Sequence, residues 1–179
     1  MKSKKKQPQS TDLRIRASDC YKNQDFPQCV NLLQSIEEPT VDDLNLLGIC
    51  LKNIGKNLEA FKVFEETSVK FPTHAVTANN LSVQALVLNN SVRAIEAAEL
   101  ALSLQPDYPE AFYNRGNAFL SLGDLNRALD SFEFAVGLRP HYLKAWMNLG
   151  VVYQKMTQYE QALNCYKKAL EIDSNCDRS

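Results

Sequence analysis

Apolar positions along the chain follow a helical spacing that changes phase twice and then starts again 34 residues later, from Val41 to Ala75, Pro109 and Leu143, with no gap introduced. Within each block the fourth, seventh, eighth and eleventh places are apolar or small, with Arg115 at the seventh place of the third block as the exception. The fourth holds Leu44, Ala78, Phe112 and Trp146, and the eighth Gly48, Ser82, Gly116 and Gly150. Steps of three, one and three residues put these side chains on one helical face. The twentieth place is Ala60, Ala94, Ala128 and Ala162, the twenty-fourth Phe64, Ala98, Phe132 and Tyr166, and the twenty-seventh Thr67, Ala101, Ala135 and Ala169. Those steps predict a second amphipathic helix. Gly55-Lys56-Asn57, Asn89-Asn90-Ser91 and Gly123-Asp124 supply the turns between the two. Pro72, Pro106 and Pro140 close the second helix, with Ser174 at the same place of the last block.

One such hairpin cannot bury its apolar face alone, but stacked hairpins can. The pattern therefore predicts an all-α solenoid of four regular 34-residue repeats. A degenerate fifth precedes them, with Leu13, Ala17 and Cys20 on its first helix and Cys29, Leu33 and Ile36 on its second. Counted from Ser10, this unit is three residues short, which predicts a tighter connection around Glu38-Pro39-Thr40. The expected organisation is a disordered basic tail over 1–9, the degenerate repeat over 10–40, repeats over 41–74, 75–108, 109–142 and 143–174, and a C-terminal tail over 175–179.

The period and these residues, most closely Ala145 to Gly150 with Tyr153, Ala162, Tyr166, Ala169 and Leu170, resemble the tetratricopeptide repeat. The departures are Arg115 in place of leucine, Ala78 and Ala98 in place of bulky residues, and Ser174 in place of proline. The resemblance implies a right-handed superhelix whose concave groove, lined by the first helices, holds an extended peptide or a helix. The sixth place then carries a ladder of Asn80, Asn114 and Asn148, similar to that of protein O-linked N-acetylglucosamine transferases. Amides can grip a peptide backbone or bond a neighbouring helix. Tyr113, Asn117, Lys144 and Met147 complete the candidate groove, with Glu110 beside them, while Trp146 falls at a packing place. The clamp that some members use for an acidic chaperone tail is incomplete: Asn114 and Lys144 match, but Asn79, Val83 and Asn148 hold the remaining places.

Composition narrows the function. A formal net charge of -1 offers no general attraction to nucleic acid or anionic membrane, and the one basic cluster, Lys2 to Lys6, is a local solubilising end. No apolar run is long enough to span a bilayer. Five cysteines without a C-x-x-C pair form neither a disulfide framework nor a zinc site, and fit reduced thiols in the cytoplasm. His74 and His141 lie in connections two repeats apart, and no glycine belongs to a phosphate loop. Neither catalysis nor a cofactor or metal is expected. The reading is a scaffold or adaptor for a protein or peptide partner. The alternative is a substrate-recruiting region of a larger enzyme such as a bacterial glycosyltransferase or sulfotransferase. The last hairpin lacks a polar capping helix, so either the chain continues in nature or this edge self-associates.

Overall fold

The computed structural model describes residues 10–176; the Lys2–Lys6 cluster lies outside the described residues. Among these there are ten helices and no strand. They are α1 (Ser10–Lys22), α2 (Phe26–Gln34), α3 (Val41–Asn53), α4 (Asn57–Lys70), α5 (Ala75–Val87), α6 (Ser91–Leu104), α7 (Pro109–Ser121), α8 (Leu125–Leu138), α9 (Leu143–Lys155) and α10 (Tyr159–Cys176). Odd-numbered helices are all 13 residues long, and α4, α6 and α8 are 14. Successive pairs pack as antiparallel hairpins.

Each hairpin turns at one register place. Gln24, Gly55, Asn89, Gly123 and Thr157 all adopt positive φ, between 57° and 79°. A left-handed residue there lets the chain leave the first helix while backbone N–H groups satisfy its last carbonyls. The following helix is then capped by Asp25, Asn90 or Asp124, whose side chains accept from Gln28, Arg93 and Arg127 N–H.

The spacing between helix layers is fixed by glycine. A Cβ on Gly48 would lie 2.5 Å from the Phe64 ring, one on Gly116 2.7 Å from Phe132, and one on Gly150 2.5 Å from Tyr166. The ring at the twenty-fourth place thus rests directly on backbone at the eighth. In the block from Ala75 the ring is replaced by Ala98, and serine is accommodated: the Ser82 hydroxyl donates to Ala94 O at 2.8 Å.

The chain divides into two compact units, one ending at Pro72 (α1–α4) and one beginning at Thr73 (α5–α10). In the first, Leu13, Ala17, Cys29, Leu33, Cys50, Leu51 and Phe64 are buried. The Cys50 thiol donates to Cys29 Sγ at 3.2 Å and Cys29 donates to Ala17 O; burial pushes both thiols up. The four cysteines whose side chains are described are free. Thr40 and Asp43 form a capping box at the start of α3, and Arg14 Nε reaches Asp43 Oδ2 at 2.9 Å. The connection before α3 is longer than expected, not tighter. The helix α2 has only 9 residues, five fewer than α4, and residues 35–40 form a six-residue link where residues 71–74 form four. Losing five and gaining two gives the three-residue deficit. The physical reason is that Arg14 Nη2 and the capping box hold Glu38 and Thr40, while Pro39 keeps Glu38 out of helical conformation.

In the second unit the densest core lies between α7 and α10. Phe119, Phe132, Ala135, Val136, Ala145, Leu149, Val152 and Cys165 are buried there. Trp146 is only half-buried; it packs on this core and donates its indole N–H to Pro140 O at 2.8 Å. The helix α10 is 18 residues long. Where proline ends its counterparts, Ser174 keeps a backbone N–H, and the helix runs on to Cys176.

Candidate partner-binding face

The first helices of the second unit, α5, α7 and α9, touch in succession, whereas no comparable contact among the described residues joins α6 to α8 or α8 to α10. Within this unit the first-helix face is therefore the inner side of the curve. Register brings the candidate residues together here: Asn80 from α5, Tyr113, Asn114 and Asn117 from α7, Lys144, Met147 and Asn148 from α9.

The asparagines do not all face outward. Asn114 is only 6% exposed, and its Nδ2 donates to Asn79 Oδ1 at 2.8 Å. Asn79 is itself buried and hydrogen-bonds the Tyr108 hydroxyl. One repeat later Asn148 Nδ2 donates to Asn117 Oδ1 at 2.6 Å and lies 3.4 Å from the Tyr113 hydroxyl. Both rungs join the sixth place of one first helix to the fifth place of the helix before it, 35 residues back. Asn114 is therefore a tie between α5 and α7, the neighbouring-helix bond open to an amide at this place, because a buried amide must be paired. Asn80, Asn148, Tyr113 and Asn117 are half-buried, and Lys144 and Met147 are exposed.

Aromatic rings pack beneath and beside this face. The Tyr113 ring lies 5.9 Å from Phe132 and 5.1 Å from Tyr142, centroid to centroid. Burial first, and then the nearby Glu110 carboxylate, push the Tyr142 hydroxyl up to about 12, so it stays a neutral phenol. The Arg139 guanidinium stacks over Tyr142 and pairs with Glu110 at 2.6 Å. Both partners of that pair are substantially exposed, so it contributes little to stability. The face is thus polar and close to neutral, with its amide and phenol groups joined by hydrogen bonds and ring contacts. Sequence reasoning did not connect Asn79, Tyr108 and Tyr142 to it; the available signal was the 35-residue offset between hydrogen-bonding residues on successive first helices.

Arg115, at a place where leucine is usual, packs between Phe112 and Ser131. Its guanidinium lies 5.0 Å over Phe112, and Nε donates to Ser131 Oγ. Among the described residues, no group of three His, Cys, Asp or Glu side chains is arranged to hold a metal ion, and no helix is long and apolar enough to cross a membrane.

The fold has known counterparts. The model of the tetratricopeptide repeat matches residues 109–142 and 143–176, in the same register as the sequence blocks. A search of curated proteins finds no match. Among solved structures, a MamA RS-1 double mutant superposes with a TM-score of 0.85 over 95% of this chain and 97% of its own, at 20% identity. MamA from Desulfovibrio magneticus RS-1 gives 0.84 over 93% and 96%, also at 20% identity. MamA AMB-1 gives 0.78 over 91% and 98%, at 25% identity. Residues 109–142 and 143–176 are thus two adjacent tetratricopeptide repeats, and they continue a series of hairpins that turn at the same register place.

Proposed function

We propose that this chain acts as a protein-interaction scaffold, the general role that its tetratricopeptide repeats support. We propose that its partner is an extended peptide or a helix laid across α5, α7 and α9, and that Asn117, Asn148 and Tyr113 hold it, with Met147 and Lys144 at one side. The observation that carries this reading is the second rung. Asn148 spends its N–H group on Asn117, which leaves its carbonyl oxygen and the Asn117 amide nitrogen oriented by one short bond on a half-buried surface. Amide groups fixed in this way meet a peptide backbone without a large ordering cost. The near-neutral surface favours an uncharged or mixed-charge segment over an acidic tail. Asn114 and Asn80 shape the floor of the same face.

The test uses residues 1–179 to select binders from a random peptide library, followed by titration of individual peptides. Asn148→Ala with Asn117→Ala is expected to weaken selected peptides at least tenfold, with helicity unchanged. Peptides that bind the double variant as tightly as the parent would place the site elsewhere.

A further inference from the structure

The groove between α9 and α10 repeats one that is filled elsewhere in the same unit. Between α7 and α8 the corresponding positions are Tyr113, Phe132, Ala135 and Val136; Val136 is 8% exposed and shares a core with Ala145 and Leu149 of α9. One repeat on, the same places are Met147, Tyr166, Ala169 and Leu170. They line a cleft of about 210 Å³, and Leu170 is 68% exposed. Leu163 behaves likewise: it is 53% exposed, while its counterparts Leu129 and Ile95 pack against the core. Leu163, Tyr166, Leu170 and Asp173 follow one another at three- and four-residue steps, so they share one face of α10. Among the described residues nothing lies over this face, and α10 continues as helix past Ser174, where Pro72, Pro106 and Pro140 stand at the same place of the earlier repeats.

We propose that a second copy of this chain covers this face, each α10 lying antiparallel in the groove of the other. The face needs an amphipathic helix with an exposed apolar stripe, and α10 itself presents one that the described residues leave uncovered. Two-fold pairing satisfies both surfaces at once and closes the assembly. Charge agrees with it. The pair α9 and α10 carries four lysines (Lys144, Lys155, Lys167, Lys168) and three acids (Glu160, Glu171, Asp173), so like charges do not oppose association. Lys167 and Asp173 stand three residues either side of Leu170; a two-fold axis at Leu170 sets Lys167 level with the partner's Asp173, twice. Head-to-tail stacking is disfavoured. In the register set by the turn at Gln24, the α1 residues that correspond to Ala145, Leu149 and Val152 are Asp12, Arg16 and Asp19, all exposed, with Arg16 and Asp12 paired at 3.6 Å. Such a helix end does not enter an apolar groove. Two helices of this length, packed about 9 Å apart, offer a footprint of roughly 500 Å² per copy. About 1,000 Å² in total is at the lower limit for a specific interface, which implies a dimer in the micromolar range.

Sedimentation equilibrium of residues 1–179 under reducing conditions, from about 5 to about 300 µM, tests this. The expected result is a concentration-dependent rise from 20.2 kDa to twice that mass. Leu170→Glu should remain monomeric throughout, and Leu58→Glu, on an exposed position of α4, should dimerise like the parent. Lys167→Asp should weaken the dimer several-fold, and adding Asp173→Lys to it should restore it. That arm decides the matter if Leu170→Glu loses its helicity. A monomer across the whole range, or a dimer indifferent to both Leu170→Glu and Lys167→Asp, overturns the proposal. So does protection of α10 amides from hydrogen exchange that appears only when another protein's helix is added.

Discussion

The tightest constraints in this fold sit at single residues. Three of the four regular repeats place a ring on a glycine, and the fourth has lost both together, with Ser82 and Ala98. That joint change is what a direct steric contact dictates: without a ring there is room for a hydroxymethyl group, and with one there is no room even for a methyl. The sequence showed that the eighth place is small and the twenty-fourth usually aromatic; that these two touch needed the backbone path. Gly116→Ala is expected to destabilise the chain by about 1–3 kcal/mol, since the new methyl would meet the interior Phe132 ring rather than a flexible chain end. In a Phe132→Ala background the same change should cost almost nothing further, because the obstructing ring is gone. A double-mutant cycle by urea denaturation measures both, and equal costs in the two backgrounds would refute the contact as the cause.

At the scale of the element, helix lengths and tertiary ties decide what the repeat period alone left open. The period and the turn signals made every hairpin legible, but they gave no reason for α2 to end at Gln34 or for α10 to run to Cys176. The first follows from the Arg14–Asp43–Thr40 cluster, a contact over 29 residues that no local pattern reveals. The second follows from Ser174, where the missing proline was visible but its consequence was not. The cluster also makes a pH prediction. Desolvation pulls the Asp43 carboxyl up, but hydrogen bonds from the Thr40 backbone and the Arg14 guanidinium outweigh it and hold the group below its usual range. A carboxyl depressed in the folded state stabilises fully above its unfolded value of about 3.9, and that stabilisation is lost as pH falls through the folded value. Asp43→Asn should therefore cost about 1–2 kcal/mol at neutral pH. The difference from the parent should stay constant down to about pH 4.5 and shrink below about pH 4. Thermal denaturation across that range checks it; a gap that persists undiminished at the acid end would show that the carboxylate charge is not what matters.

At the scale of the whole molecule, the repeats share one plan but not one strength. The architecture was legible because a 34-residue period repeats the same buried places. The binding face was legible only in part, because an asparagine that grips a partner and one that ties two helices occupy the same register place, and burial alone separates Asn114 from Asn148. The same unevenness runs through the core. The hairpin of α5 and α6 buries one large apolar side chain, Leu81, among Ala78, Ala85, Ala94, Ala98 and Ala101, and its buried polar groups include Thr77, Ser82 and Gln84. The helices from α7 to α10 instead bury Phe119, Phe132, Val136, Leu149 and Val152. A buried Phe or Leu contributes roughly 1.5–3 kcal/mol more than an exposed one, and an alanine far less, so the intrinsic stabilities of the two regions differ by several such increments. Stability in a repeat array is a sum of local and nearest-neighbour contributions, so regions this unequal need not unfold together. The chain carries its single tryptophan, Trp146, on α9 against the core of α7 to α10, whereas far-ultraviolet ellipticity averages over the ten described helices. Urea denaturation followed by both signals should accordingly give two midpoints, with ellipticity falling first and Trp146 fluorescence changing at higher urea. Hydrogen exchange should show α5 and α6 amides opening before those of α7, α8 and α9. Coincident transitions by both probes would mean that neighbour coupling exceeds the difference in core content, and that the array unfolds as one cooperative unit.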